Sequence, residues 1–196
     1  ASGEMIGAIA MTEPGAGSDL QGVRTTAVKE GDHYVLNGSK IFITNGYLCD
    51  LVIVVAKTDP AKGAKGTSLL LVERGMPGFS VGKRLKKLGL KAQDTSELFF
   101  DNVRVPASNI VTLGDPGNSR GFVKPLTIYN GTRVGMGVMA LGVAEGAFEL
   151  AREYMTVREQ FGQKLSEMQG LRWMMADSLI EIEAARCLCY KALALL

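Results

Sequence analysis

The sequence predicts an α+β protein with more than one domain, in which an antiparallel β-barrel or sandwich is followed by a long antiparallel pair of helices. Up to about residue 110, short apolar runs alternate with Gly, Pro, Asn and Asp, a pattern typical of strands joined by turns. The pattern changes after Pro106, and from Gly121 onward Pro125 is the only proline in a stretch rich in helix-forming residues. These observations divide the chain into a β domain at 1–112, a linker at 113–124 and a helical part at 125–196.

Each predicted strand is a short apolar run bounded by turn-forming residues. The runs lie at 5–11, 25–30, 33–36, 51–56, 68–72 and 98–105. Gly31-Asp32 separates the second run from the third and predicts a tight hairpin. The unbroken run at 51–56 is typical of a strand buried on both faces. Gly, Asp, Pro, Asn and Ser dominate 109–120, which predicts a connecting loop there.

Two helices are predicted in the second half, at 125–158 and from 166 to 196, with a break at Phe161-Gly162. The first helix is rich in small residues, and each glycine costs it about 1 kcal/mol relative to alanine, so close packing must offset the loss. The small residues are Gly135, Gly137, Ala140, Gly142, Ala144, Gly146 and Ala147. The second helix carries an apolar stripe that predicts core packing. The stripe consists of Met168, Leu171, Met175, Leu179 and Ile182.

The composition excludes several classes of function. The 22 basic and 20 acidic residues leave a formal net charge of +2, which does not favour nucleic-acid binding. His33 is the single histidine, which excludes His-rich metal sites, and no metal ligand is predicted. Three cysteines without a CxxC motif favour a reducing compartment over a disulfide framework. One basic cluster is predicted to be a solvated turn or strand edge. It contains Lys83, Arg84, Lys86, Lys87 and Lys91.

No uncharged apolar run approaches the ~20 residues that span a bilayer. The longest one inside a predicted helix, 134–144, has 11 residues. No signal-peptide pattern follows Ala1, and together these observations predict a soluble protein without a membrane span. The chain starts without Met and stops at Leu196 inside a helical pattern that has no stop signal. Both ends therefore predict a fragment of a longer protein.

Two segments carry polar residues in an arrangement that suits a ligand. Residues 12–19, TEPGAGSD, form a predicted strand-end loop whose small residues let backbone N–H groups approach a polar or anionic group. Residues 37–46, NGSKIFITNG, combine a strand, an aromatic ring and a hydroxyl with Asn-Gly turns at both ends. Neither segment contains a GxGxxG or P-loop motif. Taken alone, the first predicts an ordinary turn and the second a strand whose threonines are satisfied within the sheet.

In combination and in this order, six segments resemble motifs of the acyl-CoA dehydrogenase family. They are MTEPGAGSD at 11–19, NGSKIFITNG at 37–46, Gly89-Leu90-Lys91 with Asp94-Thr95, VRVP at 103–106, Thr132-Arg133, and REQFG at 158–162. The resemblance extends over nearly the whole chain, and residues 86–100 are especially similar to long-chain members. It implies the middle β domain and the first two helices of the C-terminal four-helix domain, about half of a full-length family member.

The resemblance implies FAD as the cofactor. In the family, the segment matching 9–18 lines the flavin, and the threonine matching Thr12 hydrogen-bonds the isoalloxazine ring. Thr44 matches the threonine that reaches the N5 side, and Phe42 stands where a tryptophan is common. The segment that begins at Arg158 reaches the pyrophosphate end of FAD from a neighbouring subunit, and Gln169 matches a contact at the adenine end. The implied cofactor-binding residues are Ile9, Met11, Thr12, Ser18, Phe42, Ile43, Thr44, Arg158, Gln160, Phe161 and Gln169.

The resemblance also implies an acyl-CoA substrate. The matching residues are Ser18, which lies where acyl-CoA and flavin meet, Asn130, Thr132 and Arg133. Asn130 stands where an aspartate is common, and Arg133 has a second interpretation as a helix arginine paired to a carboxylate. The family base is a glutamate, placed either far along the C-terminal domain or immediately before the arginine that matches Arg133. Thr132 occupies that second position, so no catalytic residue is expected in this chain and the base is expected downstream of Leu196.

The implied reaction is α,β-dehydrogenation of fatty acyl-CoA thioesters in fatty acid β-oxidation, with electrons passing to an electron-transfer flavoprotein. The family resemblance further implies a homo-oligomer, dimer or tetramer, in the cytoplasm of a bacterium or archaeon or in the mitochondrial matrix. Two alternatives remain open. An acyl-CoA oxidase or a related family offshoot would consume oxygen, whereas a non-catalytic β-sandwich binding module would take up no flavin.

Overall fold

The computed structural model describes residues 2–112 and 120–196, with side chains described for 2–112 and 129–196. The chain forms two compact units, Ala1–Lys124 and Pro125–Leu196. The first unit consists mainly of β-strands and the second of two long helices, so the predicted α+β architecture is confirmed. Residues 113–119, the larger part of the predicted linker, lie outside the described residues.

The first unit is built on one eight-stranded sheet. Its strands are β1 (Gly7–Ala10), β2 (Thr26–Glu30), β3 (His33–Thr44), β4 (Leu51–Lys57), β5 (Thr67–Glu73), β6 (Phe79–Arg84), β7 (Thr95–Pro106) and β8 (Ile110–Thr112). The order across the sheet is β6-β7-β3-β2-β4-β5-β8, and β1 pairs with β4 in addition. Most neighbours are antiparallel, as predicted, but β1 and β2 each pair with β4 in parallel. Short 3₁₀ turns at Leu20–Gly22, Pro60–Gly66 and Ala107–Asn109 connect the strands.

All six apolar runs of the sequence form strands, although two strands of this unit, β6 and β8, were missed. The hairpin at Gly31-Asp32 is confirmed, because β2 and β3 pair antiparallel on either side of it. β6 was missed because its sequence, FSVGKR, ends in charged residues and contains glycine. β8 lies where a loop was predicted over 109–120, and this strand of three residues is too short to leave a periodic pattern.

The core of the β unit consists of the inward-facing residues of the central strands. Val52 and Val54 of β4 are fully buried with Leu70 and Val72 of β5. Phe79 and Phe100 stack at the β6–β7 end, with ring centroids 5.2 Å apart. The basic cluster begins on β6, an edge strand of the sheet, and most of its side chains are exposed, in agreement with the prediction for it.

A β-bulge in β3 decides which side chains leave the core. Lys40 pairs with Leu98 of β7, but the next pair joins Ile43 to Ser96, so β3 contains one extra residue at this point. Phe42 lies inside the bulge with a φ of 61°, which is uncommon for a bulky side chain. Because side chains alternate along a strand, the extra residue reverses their facing. Lys40 is buried before the bulge, and Ile43 is buried after it while Thr44 is exposed.

The second unit contains two long helices, α1 (Arg120–Val157) and α2 (Gln169–Leu193). α1 begins five residues before the predicted start, since a helix can contain a proline near its beginning at the loss of one hydrogen bond. α2 begins three residues later than predicted, because 165–167 form a 3₁₀ turn before it. An ion pair between Glu145 and Arg186 joins the two helices.

The break between the helices is a short hairpin, as predicted at Phe161-Gly162. Strands β9 (Glu159–Gln160) and β10 (Gln163–Lys164) pair antiparallel around this two-residue loop. Phe161 and Gly162 have φ values of 54° and 77°, as a type I′ turn requires. The turn therefore sends the chain back directly and presents the Phe161 ring at its tip.

The small residues of α1 permit the predicted close approach at one point and line a groove elsewhere. A Cβ on Gly137 would lie 3.6 Å from the Cys189 sulfur of α2, whereas Gly142 and Gly146 have open space beside them. The groove between α1 and α2 is apolar and has a volume of about 590 Å³. Ala140, Ala144 and Ala147 line it on one side and Met175 and Ile182 on the other.

Part of α1 is apolar enough, by length and composition alone, to cross a bilayer. Tyr129–Val157, a segment of 29 residues, contains a window of mean hydropathy 1.4, and none of that window is buried. The prediction that excluded a span considered only the uncharged residues 134–144, and the helix extends the apolar character across isolated charges. A helix of a soluble bundle passes the same test.

Candidate functional site

The loop after β1 is a defined turn. The Glu13 amide donates to the Ala16 carbonyl at 2.9 Å, and the Ala16 amide donates back to the Glu13 carbonyl at 3.1 Å. Asp19 then caps the following 3₁₀ turn by accepting from the Gln21 amide at 3.0 Å. The Ser18 side chain is exposed between these two turns.

The backbone joins this loop to β3 at the bulge. The Ile41 amide donates to the Thr12 carbonyl at 2.9 Å. One residue earlier in each of these two segments, the Lys40 ammonium donates to the Met11 carbonyl at 3.0 Å. The two polar segments of the β domain, 12–19 and 37–46, are therefore adjacent in the structure, although 27 residues lie between Thr12 and Lys40 in the sequence.

 Their proximity is a product of the fold, since it depends on hydrogen bonds between segments that are distant in the sequence.

A buried ion pair lies beneath this junction, and the sequence analysis did not find it. The Lys40 ammonium donates to Glu13 Oε1 at 2.8 Å, with both side chains almost completely buried. Glu13 also accepts from the amides of Arg24, at 2.6 Å, and Thr25, at 3.0 Å, and from the Thr25 hydroxyl at 2.6 Å. The sequence contains one signal for it: before the bulge, Lys40 lies in phase with the buried Leu36 of β3.

The surroundings of the pair determine its ionisation. Burial by itself raises the pKa of Glu13, but the hydrogen bonds from Lys40, Thr25 and the Arg24 backbone outweigh it and hold that pKa below its ordinary value of 4.5. Burial lowers the pKa of Lys40, and the hydrogen bond and charge of Glu13 oppose that shift. Glu13 is therefore ionised near neutral pH, and its carboxylate stabilises the buried ammonium.

Gly38 lets β3 pass close to the segment that binds Glu13. It has a φ of 148°, and a Cβ placed there would lie 2.5 Å from the Thr25 hydroxyl oxygen and 2.8 Å from the Thr25 Cα. We expect Gly38→Ala to lower the free energy of unfolding by roughly 1–3 kcal/mol, because the backbone must move to relieve the overlap. Urea denaturation measures the change. Gly31→Ala is the matched control, since Gly31 also has a positive φ but open space around it; equal losses for the two variants would show that the overlap costs nothing.

The predicted flavin residues of the β unit divide into exposed and buried side chains. Ile9 is 50% exposed and Phe42 is 64% exposed. Thr44 is exposed, and Met11 and Thr12 are partly exposed. Ile43, in contrast, is 2% exposed and belongs to the apolar core. Its side chain is directed inward by the bulge, so only its backbone is available to a ligand.

The turn after Thr44 is held by Asp94, a second residue whose role was not predicted. The Asn45 amide donates to the Asp94 carbonyl at 3.2 Å, and the Tyr47 amide donates to Asp94 Oδ2 at 2.7 Å. Asp94 is buried, and Thr95 pairs directly with Thr44 across the sheet. The motif around Asp94-Thr95 thus positions the end of β3 from the neighbouring strand.

In the helical unit, Asn130, Thr132 and Arg133 lie on one stretch of α1 and are mostly exposed. Arg133 donates to the Asn130 side-chain oxygen at 2.9 Å. The second interpretation of Arg133 was an ion pair with a carboxylate, but this contact is with a side-chain amide. The side-chain amide of Asn130 orients the guanidinium without neutralising its charge.

The remaining predicted cofactor residues surround the hairpin between the helices. The Leu165 amide donates to the Arg158 carbonyl at 2.9 Å, which closes the hairpin at its base. Gln160 donates to the Glu159 carbonyl at 2.8 Å, and Phe161 is 95% exposed at the tip. Gln169 is exposed at the first residue of α2. Within residues 2–112 and 120–196, no group of three or more His, Cys, Asp or Glu is placed to hold a metal ion.

Comparison with known sequences shows the class of protein to which this site belongs. Residues 8–103 match the family model described as acyl-CoA dehydrogenase, middle domain, and residues 119–196 match the one described as acyl-CoA dehydrogenase, C-terminal domain. The chain is therefore a member of the acyl-CoA dehydrogenase family, and the resemblance found in its motifs is confirmed.

Individual relatives extend the comparison. The chain is 51% identical over 192 residues to a short-chain specific acyl-CoA dehydrogenase of Clostridium acetobutylicum, covering 98% of this chain and 50% of that protein. It is 49% identical over 178 residues to the mitochondrial long-chain specific acyl-CoA dehydrogenase of Sus scrofa, covering 90% and 40%. The solved butyryl-CoA dehydrogenase of Megasphaera elsdenii superposes with a TM-score of 0.86 at 45% identity, covering 95% and 48%. The chain thus spans about half the length of the relatives that it matches.

Proposed function

We propose that the protein containing this chain is an FAD-dependent enzyme that dehydrogenates fatty acyl-CoA thioesters between Cα and Cβ. The observation that carries the proposal is the junction between the Thr12 loop and the bulge of β3, made by the hydrogen bond from the Ile41 amide to the Thr12 carbonyl. This bond brings two segments with flavin-type motifs together on one surface of the β unit. Membership of the acyl-CoA dehydrogenase family supports the same interpretation.

The residues at this junction fit a flavin. The exposed side chains of Ile9 and Phe42 offer an apolar surface for a flat ring system, and the hydroxyls of Thr12 and Thr44 can donate to or accept from its polar edge. The bulge makes this possible, because it directs Phe42 and Thr44 outward while Ile43 anchors the strand in the core. FAD supplies the acceptor for the substrate β-hydrogen.

We assign the substrate side to Ser18, Asn130, Thr132 and Arg133. A guanidinium suits the phosphate or carbonyl oxygens of an acyl-CoA, because it presents several N–H donors in one plane. Asn130 holds that guanidinium by its side-chain oxygen. Donors directed at the thioester carbonyl would acidify the α-proton that the base removes.

We assign Arg158, Gln160, Phe161 and Gln169 to the far end of FAD bound by a neighbouring subunit, in a homo-oligomer of two or four copies. An aromatic ring that is 95% exposed at the tip of a rigid two-residue turn supports a role in contact with another molecule. Within α2, the side chains of Trp173 and Ile180 are also largely exposed, which supports contact of this helix with another molecule.

We further propose an electron-transfer flavoprotein as the acceptor and fatty acid β-oxidation as the process, in the cytoplasm of a bacterium or archaeon or in the mitochondrial matrix. The sequence relatives include both a bacterial and a mitochondrial enzyme. The short-chain and the long-chain enzyme have nearly the same sequence identity to this protein, 51% and 49%. The comparison therefore does not indicate the length of the acyl group.

The decisive experiment is purification of the complete protein and its anaerobic reduction by an acyl-CoA. We expect it to copurify with FAD and the flavin absorbance to bleach. Thr44→Val should slow flavin reduction about fivefold while acyl-CoA binding changes little, because one hydrogen bond contributes about 1 kcal/mol. Thr26→Val on β2 is the control and should leave the rate unchanged.

Each alternative gives a different result in the same assay. Oxygen consumption that accompanies turnover would identify an acyl-CoA oxidase. A colourless protein that takes up no flavin would identify a non-catalytic binding module and overturn the proposal. A rate of flavin reduction unaffected by Thr44→Val would remove Thr44 from the site without affecting the rest.

A further inference from the structure

We propose that Lys40 is the positioning residue of the flavin-binding surface, acting through the Met11 carbonyl that it holds. The inference rests on the function proposed above and adds a residue to it. Lys40 itself is buried and therefore does not touch a ligand on that surface. It acts by fixing the backbone that carries Thr12 against the strand that carries Phe42 and Thr44.

The geometry places Lys40 at a point where both parts of the surface are fixed. Its ammonium reaches the Met11 carbonyl at 3.0 Å, and the next amide along β3, that of Ile41, holds the Thr12 carbonyl at 2.9 Å. These two bonds fix the backbone on both sides of the Thr12 Cα. A shift in this short segment would move the Thr12 hydroxyl directly.

Lys40 is also the last residue of β3 that pairs regularly before the bulge. It pairs with Leu98, and the extra residue follows at once. The same side chain therefore anchors the Thr12 loop and the start of the bulge that turns Phe42 and Thr44 outward. A loop held by surface contacts alone would leave the distance between Thr12 and Thr44 variable, whereas a ligand that touches both requires it to be fixed.

The chemistry of the Glu13–Lys40 ion pair indicates that it positions the backbone rather than adds to the stability of the fold. Apolar residues of similar volume often replace a buried ion pair without loss of stability, because burial of two charges is expensive. An apolar residue at position 40 would fill the same space but would leave the Met11 carbonyl without its donor. Glu13 keeps Lys40 charged in the interior, and the ammonium then has protons available for both acceptors.

Two single variants of the complete protein separate a role of Lys40 in positioning the Met11–Thr12 backbone from a role in stabilising the fold. Lys40→Met keeps the length of the side chain and removes the donor to Met11. Glu13→Gln keeps an acceptor for Lys40, so the bond to Met11 persists, but it removes the negative charge and one acceptor oxygen. For each variant we would measure the thermal midpoint of the apoprotein, the FAD dissociation constant by fluorescence quenching, and the visible spectrum of the bound flavin.

We expect Lys40→Met to weaken FAD binding by about tenfold or more and to shift the flavin absorption bands, since a charge-assisted hydrogen bond is lost. Glu13→Gln should lower the thermal midpoint yet leave FAD binding within roughly threefold of the original. Lys29→Met, which changes an exposed lysine on β2, is the control and should change neither property.

The double variant Glu13→Gln/Lys40→Met covers the case in which Lys40→Met alone does not fold, because it leaves no unpaired charge. It should recover thermal stability but not FAD affinity. Affinity that falls and recovers in parallel with thermal stability would overturn the inference, as would an unchanged flavin spectrum in Lys40→Met. An unaltered protein that binds no FAD would instead overturn the proposed function, and this inference with it.

Discussion

Residues 1–196, supplied with FAD and mixed anaerobically with a saturated acyl-CoA, are expected to leave the flavin absorbance unbleached. Dehydrogenation between Cα and Cβ needs a base within hydrogen-bond reach of the α-proton. Thr132 occupies the position, immediately before Arg133, at which the family resemblance implies an alternative glutamate. A threonine hydroxyl does not act as a base near neutral pH, so the proton would remain on the substrate.

The next carboxylates along α1 lie too far away to replace that glutamate. Glu145 follows Thr132 by 13 residues and Glu149 by 17, and at ~1.5 Å per residue these positions are about 20 and 25 Å further along the helix axis. Glu145 is in addition paired with Arg186 of α2. Neither can reach a substrate bound beside Arg133.

The assay needs two controls. Fluorescence quenching must first establish that the chain retains the added FAD, and the complete protein serves as the positive control for bleaching. Thr132→Glu supplies a carboxylate at the alternative position and should restore slow bleaching to the chain. Prompt bleaching by the unchanged chain would show that the base lies within residues 1–196.

Glu13→Ala should lower the free energy of unfolding by about 3–5 kcal/mol, the usual cost of leaving one partner of a buried ion pair without the other. The change leaves the Lys40 ammonium buried and also deprives the Arg24 and Thr25 amides of their acceptors. Urea denaturation followed by circular dichroism measures the loss. Glu73→Ala removes an exposed carboxylate at the end of β5 and, as the control, should change stability by less than about 0.5 kcal/mol.

The same variant should change the dependence of stability on pH. The folded pKa of Glu13 lies below its ordinary value of 4.5, so its stabilisation is fully present above that value and is lost as pH falls through the folded pKa. The stabilities of the original chain and of Glu13→Ala should therefore converge in acid and separate towards neutral pH. A constant difference between the two curves, or a loss below about 1 kcal/mol at pH 7, would contradict the ion-pair assignment.

Local patterns in the sequence predicted most strands because the buried residues of β4 and β5 occur in short runs with turns between them. Phe161-Gly162 was likewise recognisable as a break, since both residues lie in a two-residue turn whose geometry is local. The family motifs then supplied candidate site residues. Each of these patterns is determined by residues that are close together in the sequence.

Features that depend on distant partners were not predictable in this way. The bulge in β3 exists only in relation to β7, and nothing in the letters KIFIT shows that one residue is supernumerary. The burial of Lys40 likewise depends on Glu13, 27 positions earlier in the chain. β6 is recruited to the sheet by pairing with β7 and lacks an apolar pattern of its own. Pairing between distant segments therefore decided the part of the candidate site that sequence reasoning missed.

The single extra residue in β3 is an insertion that the fold confines to one point of the strand. Loss of one residue between Lys40 and Ile43 would place Ile43 two positions after Lys40, as Ser96 and Leu98 are two positions apart on β7, and would restore regular pairing. Ile43 would still face the core and Thr44 would still face outward, because side chains two positions apart share a face, so only the bulge would be lost. For anyone who grafts this strand onto another scaffold or recombines it with a relative, the number of residues between Lys40 and Ile43 therefore decides whether the bulge forms, even when the residues on both sides of it are identical.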